Sequence, residues 1–209
     1  MFSLQTMFGK GDKFYGLLEA SAEAARDGAS ALQNLLQHRG DAPVLDSFRA
    51  ARRREKQLAS QIGEALVNTF VTALDREDIE AMSNVLYRIP KTIEKFAERY
   101  ALVSNRVADV DFASRAGLLM RATEVVVEMV AELRNGLRID RMRQLQDGLQ
   151  AIESEADRML LDSYRSLYTA GSDPIRVMLA KDLFELMEEA IDRCRDVGNV
   201  IYSIVLKNS

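Results

Sequence analysis

The chain has 209 residues, 47% of them hydrophobic and 29% charged, with three prolines, eleven glycines, one cysteine and no tryptophan. That length buries a full core, and the scarcity of turn residues excludes a low-complexity or turn-rich protein. The net charge of −4 argues against a general nucleic-acid binder, and charges break every apolar run well short of the roughly 20 residues a membrane span needs.

No stretch alternates with period two, whereas long windows repeat near 3.6 residues, so six helices are expected. The first runs from about Lys13 to Gln37 and stops at Arg39 and Gly40. The second starts near Pro43 and carries Leu45, Phe48, Leu58, Ile62, Leu66 and Phe70 at core spacing. Asp75, with Asp78 three residues on, reads as a capping-box-like start for the third, which extends to about Leu102 and should kink at Pro90. The fourth, from about Asp111 to Asn135, is apolar nearly all round at Val125, Val126, Val127, Met129 and Val130, the mark of a helix buried among several others. It stops at Gly136. The fifth spans about Asp140 to Tyr168. Gly171, Ser172, Asp173 and Pro174 then supply a stop, a cap and a first-turn proline for the sixth, which reaches Leu206. The expected fold is all-α: two antiparallel three-helix bundles, residues 1–104 and 105–209, packed as one compact unit.

The last helix carries Glu185, Glu189, Asp192 and Asp196 at steps that place them along one stripe, and the fifth repeats the device with Glu153 and Asp157. Like charges so arranged repel. Carboxylates on two neighbouring helices suit a hard divalent cation or iron; a wet surface neutralised by Arg193 and Arg195 is the alternative. Sliding the first half onto the second sets Arg52 and Lys56 on Glu153 and Asp157, and Tyr87 and Lys91 on Asp192 and Asp196. With Arg88, these cations stand where a homologous metal would sit, bind an anion such as phosphate, or pair with Glu55 and Glu94 at the surface.

No Ser-His-Asp set, Cys-His pair or phosphate-cradling glycine loop is present. His38, the single histidine, suits the end of the first helix. Cys194 lies between Asp192 and Asp196, whose charge raises a thiol's pKa, and reads as a small packing residue. A lone cysteine excludes an internal disulfide and suits a reducing compartment. The start MFSLQTMFGKGDK has no secretion-signal pattern, so a soluble, cytoplasmic protein is expected.

Three stretches resemble the PhoU-like Pit accessory proteins: NTFVTALDREDIEAM (Asn68 to Met82), IESEAD (Ile152 to Asp157) and EEAIDRCRDVGNVIYSIVLKN (Glu188 to Asn208). The resemblance implies a non-enzymatic accessory or regulator of inorganic phosphate transport. It further implies a phosphate permease as partner. With the charge and composition above, the expectation is a homo-oligomer that binds no nucleic acid, in the cytoplasm, at the inner membrane face through a transporter rather than by insertion. PhoU relatives hold metal clusters on acidic helix pairs. Carried over, that motif falls on Glu153, Asp157, Glu189, Asp192 and Asp196; with Glu185 of the same stripe, these are the expected ligands for Fe, Mn, Mg or Zn. The first half departs from it, with Arg52, Lys56, Tyr87, Arg88 and Lys91 in place of acids. A metal-dependent enzyme on phosphate esters and a purely structural helical module stand as the other two readings.

Overall fold

The computed structural model describes residues 4–37, 44–136, 138–169 and 173–208. Among them are six α-helices and no strand: α1 (Leu4–Gln37), α2 (Asp46–Val67), α3 (Arg76–Val103), α4 (Ala113–Arg134), α5 (Ile139–Leu167) and α6 (Pro174–Lys207), with one 3₁₀ turn at Ser104–Arg106. Helix accounts for 88% of the described chain, in keeping with the all-α reading.

Local sequence explains three of the helix ends. Asp173 Oδ1 accepts from the Ile175 amide at 3.0 Å and Pro174 occupies the first turn, as the sequence predicts for α6. Asp111 Oδ1 accepts from the amides of Ala113 and Ser114 at 3.0 and 3.3 Å, which satisfies free donors at the start of α4. Gly136, at φ +90°, ends that helix in a conformation that costs glycine little. The capping box expected at α3 is not formed. The Asp75 side chain makes no cap bond; it meets Lys207 Nζ at 2.5 Å, and Asp78 meets the same ammonium at 3.2 Å. The expected stop of α1 at Arg39 and Gly40, the start of α2 near Pro43, His38, and the Gly171–Ser172 stop lie outside the described residues.

α3 runs unbroken past Pro90, which is buried. In each half the three helices pack on one another, and the halves meet along α1 against α4 and α3 against α6. Lys207 at the end of α6 reaching Asp78 at the start of α3 makes that pair antiparallel. Arg134, the last residue of α4, pairs with Glu19 of α1 at 2.8 Å, and that pair is antiparallel too. The α2–α3 and α5–α6 connections therefore fall at opposite ends of the molecule.

The core is continuous across both halves. Phe96, Tyr100, Phe112 and Phe184 gather where α3, α4 and α6 converge, with the Phe112 and Phe184 ring centroids 4.8 Å apart. On α4, Val126, Met129 and Val130 are buried while Val125 and Val127 are half-buried against the same core, which matches its all-round apolar pattern. α6 comes so close to α5 at Gly198 that a Cβ there would lie 2.6 Å from Gln146 Oε1 and 2.7 Å from Leu149 Cδ2.

Candidate functional site

The acid stripe forms on α5 and α6, but arginine and lysine hold most of it. Arg195 hydrogen-bonds Glu153 on α5 and lies 3.5 Å from Asp192 on its own helix. Arg193 bridges Glu189 at 3.0 Å and Asp196 at 3.1 Å. Lys181 pairs with Glu185 at 2.6 Å, and the Tyr164 hydroxyl donates to the same carboxylate at 3.3 Å. That lysine hydrogen bond holds the Glu185 carboxyl below its ordinary range.

Asp157 stays exposed, and its charge acts on Glu188, Asp192 and Arg115. Burial and the charges of Asp192 and Asp157 raise the Glu188 carboxyl. Burial first, and then Asp157 and Asp196 against the opposing pull of Arg195, raises Asp192. Among the described residues no three His, Cys, Asp or Glu side chains are grouped as they would be around a metal ion. In this arrangement the guanidinium groups of Arg193 and Arg195 pair with carboxylates that a metal ion would also use.

Arg115 of α4 adds a charge that the sequence reading passed over. It is 1% exposed, its Nη2 donates to the Ala156 carbonyl at 3.3 Å, and its guanidinium carbon lies 5.0 Å from the Phe184 ring centroid. Nε and Nη1 are buried without a hydrogen-bond partner. Burial pulls its pKa down while Glu188, Tyr164 and Asp157 push it up. The signal was there: Arg115 lies on the same face as Leu118, Leu119 and Ala122, all buried.

In the first half Arg52, Tyr87 and Glu94 come together across α2 and α3. Arg52 Nη2 donates to the Tyr87 hydroxyl, its guanidinium carbon sits 3.9 Å from that ring's centroid, and Nε is 3.9 Å from the Glu94 carboxylate. The Arg52 hydrogen bond, and then the charges of Arg52, Lys91 and Lys56, lower the phenol's pKa. Burial, helped by Glu98, raises Glu94. Arg88 is exposed.

Glu55 differs from its expected place as a surface partner. It is fully buried, accepts from Ser21 Oγ at 3.1 Å, and leaves Oε2 without a partner. Burial pushes its carboxyl up to about 7 against the pull of Ser21, Arg52 and Arg54. Cys194 is buried as expected, with Sγ 3.5 Å from the Ala190 carbonyl. Burial raises its thiol most, and Asp196 adds to the shift.

A charged, antiparallel pair of three-helix units joined along α1–α4 and α3–α6 is a PhoU-like fold. A PhoU-like protein from Shewanella oneidensis MR-1 shares it with a TM-score of 0.76 at 17% identity, over 93% of this chain and 99% of that one. In sequence, the chain is 21% identical over 201 residues to a Rhizobium meliloti protein described as "Putative pit accessory protein", covering 94% of each. It is also 25% identical over 150 residues to the UPF0111 protein YkaA of Bacillus subtilis, covering 69% of this chain and 70% of the relative. No family model matches the chain. The relatives and the fold together bear out the resemblance to the PhoU-like Pit accessory proteins that the three motifs carry.

Proposed function

We propose that the protein is a non-enzymatic accessory protein that regulates inorganic phosphate transport by docking on a phosphate permease. The observation that supports this most is similarity across 94% of the chain to a protein described as a pit accessory protein, on a PhoU-like fold. No helix among the described residues is long and apolar enough to cross a membrane, so the reading places the chain against a transporter rather than in the bilayer. The tip between α2 and α3 offers an apolar contact for such a partner: Phe70 is 101% exposed, with Val67 and Val71 exposed beside it. A groove of 550 Å³ between α2 and α3, lined in part by Ile62, Leu66, Val67 and Arg76, opens behind it. Co-purification from detergent-solubilised membranes tests the role. The permease is recovered with the parent protein and lost with Phe70→Ser; a permease never recovered with the folded parent ends the reading.

A second reading takes Glu153, Asp157, Glu185, Glu189, Asp192 and Asp196 as ligands for a divalent cation or iron. One observation favours it: the single Arg195 guanidinium touches carboxylates of both helices, Glu153 and Asp192, at a point where one cation serves both. Binding requires Arg193 and Arg195 to leave their acids. A melting temperature that rises with added Mn or Fe in the parent, and not in Asp192→Asn, supports this reading; no rise in the parent ends it.

A further inference from the structure

The basic face of α2 and α3 differs from its acidic counterpart in one respect: fewer opposite charges answer it. In the second half, Arg195 serves the carboxylates of Glu153 and Asp192. Sliding the halves over one another puts Arg195 on Pro90, which carries no charge. Arg52 and Tyr87, the counterparts of Glu153 and Asp192, touch each other directly. Lys56 lies one turn beyond Arg52 on α2 and Lys91 one turn beyond Tyr87 on α3, both exposed. Both ammonium groups are near enough to act on the Tyr87 phenol, and neither is ion-paired among the described residues. Glu94 answers only one of these charges, at 3.9 Å from Arg52 Nε.

The donors are of the right kind for an oxyanion. Arg52 Nη1 is buried with no hydrogen-bond partner. Because the Tyr87 oxygen accepts from Arg52, its own proton is left to donate outward. A guanidinium charge with Nη1 unpaired, a phenol donor and two exposed flanking ammonium groups match a compact, multiply charged oxyanion, which offers several acceptor oxygens at short range. The groove between α2 and α3 begins one turn away on both helices, at Ala59 beside Lys56 and at Ser83 and Asn84 before Tyr87. It leaves room for a substituent on such an anion.

We propose that Arg52, Lys56, Tyr87 and Lys91 form a binding site for a phosphate-class dianion, either orthophosphate or the phosphate group of a small monoester. The choice of phosphate among oxyanions rests on the transport reading; the need for an anion rests on the charge geometry alone. The test is phosphorus NMR titration of the full chain with orthophosphate and, separately, with glycerol phosphate, at an ionic strength held constant with chloride. The parent binds at least one of them saturably, and the tighter one identifies the source. The Lys56→Gln/Lys91→Gln variant alters two exposed residues, keeps its circular dichroism spectrum, and binds at least tenfold more weakly. Tyr87→Phe keeps the ring beneath Arg52 and also weakens binding. Absence of saturable binding to either ligand overturns the site, as does binding that the double variant leaves unchanged. Failure here with the permease still co-purifying removes the site alone; phosphate bound without any permease removes the accessory role alone.

Discussion

Glu55 gives the sharpest energetic prediction. Its carboxyl is fully buried with one hydrogen bond, from Ser21, and one oxygen without a partner. An ionised carboxylate there loses water that a single hydroxyl does not replace, so the neutral acid is favoured in the folded state. Its folded pKa is raised from 4.5 to about 7. Between those values the folded chain holds a proton that the unfolded chain has released, so stability must fall as pH rises. The contribution is fully present below 4.5 and lost above about 7, and a shift of this size is worth about 3 kcal/mol at most. Glu55→Gln removes the titration while keeping shape and polarity. Urea unfolding of both proteins from pH 4.5 to pH 8.5 should show the variant gaining about 1–3 kcal/mol on the parent at the alkaline end. That difference should shrink toward zero at the acid end. A difference that does not vary with pH, or a variant less stable than the parent at pH 8.5, refutes the account of Glu55 as a neutral buried acid.

Three further outcomes are expected. Gly198→Val should lower stability by about 2 kcal/mol in denaturant unfolding, since even the Cβ would press on Gln146 and Leu149, and Gln146 Nε2 is held to Asn199 Oδ1 at 2.7 Å. Asp173→Ala should cost about 1 kcal/mol by loss of the cap on α6, measured the same way, whereas Asp75→Ala should cost less because its partner is the half-exposed Lys207. Native Cys194 should resist iodoacetamide at pH 8 and react once the protein is unfolded, because the thiol is buried and its pKa raised.

The parts legible in the sequence were those that local chemistry decides. Asp173-Pro174 and Gly136 set helix ends through their own backbone geometry, and the 3.6-residue pattern placed α4 in the middle of the packing. The capping box at Asp75 and Asp78 misled because their partner, Lys207, arrives from the far end of the chain, and nothing local announces it. Glu55 was taken for a surface charge although it stands in register with Ala51, Leu58 and Ile62, all buried. Its spacing carried the signal and its residue type hid it. For the acid stripe, spacing put the carboxylates on one face, but whether Arg193 and Arg195 flank that face or lie within it depends on side-chain directions that a sequence does not encode. The structure places them within it, and places Arg52 against Tyr87 in the matching position of the other half.

The central claim is that this chain acts on phosphate transport, and the direct measurement is uptake of radiolabelled phosphate by cells with and without it. The account predicts that deletion changes the uptake rate, and that the parent restores it while Phe70→Ser does not. Uptake unchanged by deletion across low and high external phosphate would contradict the account.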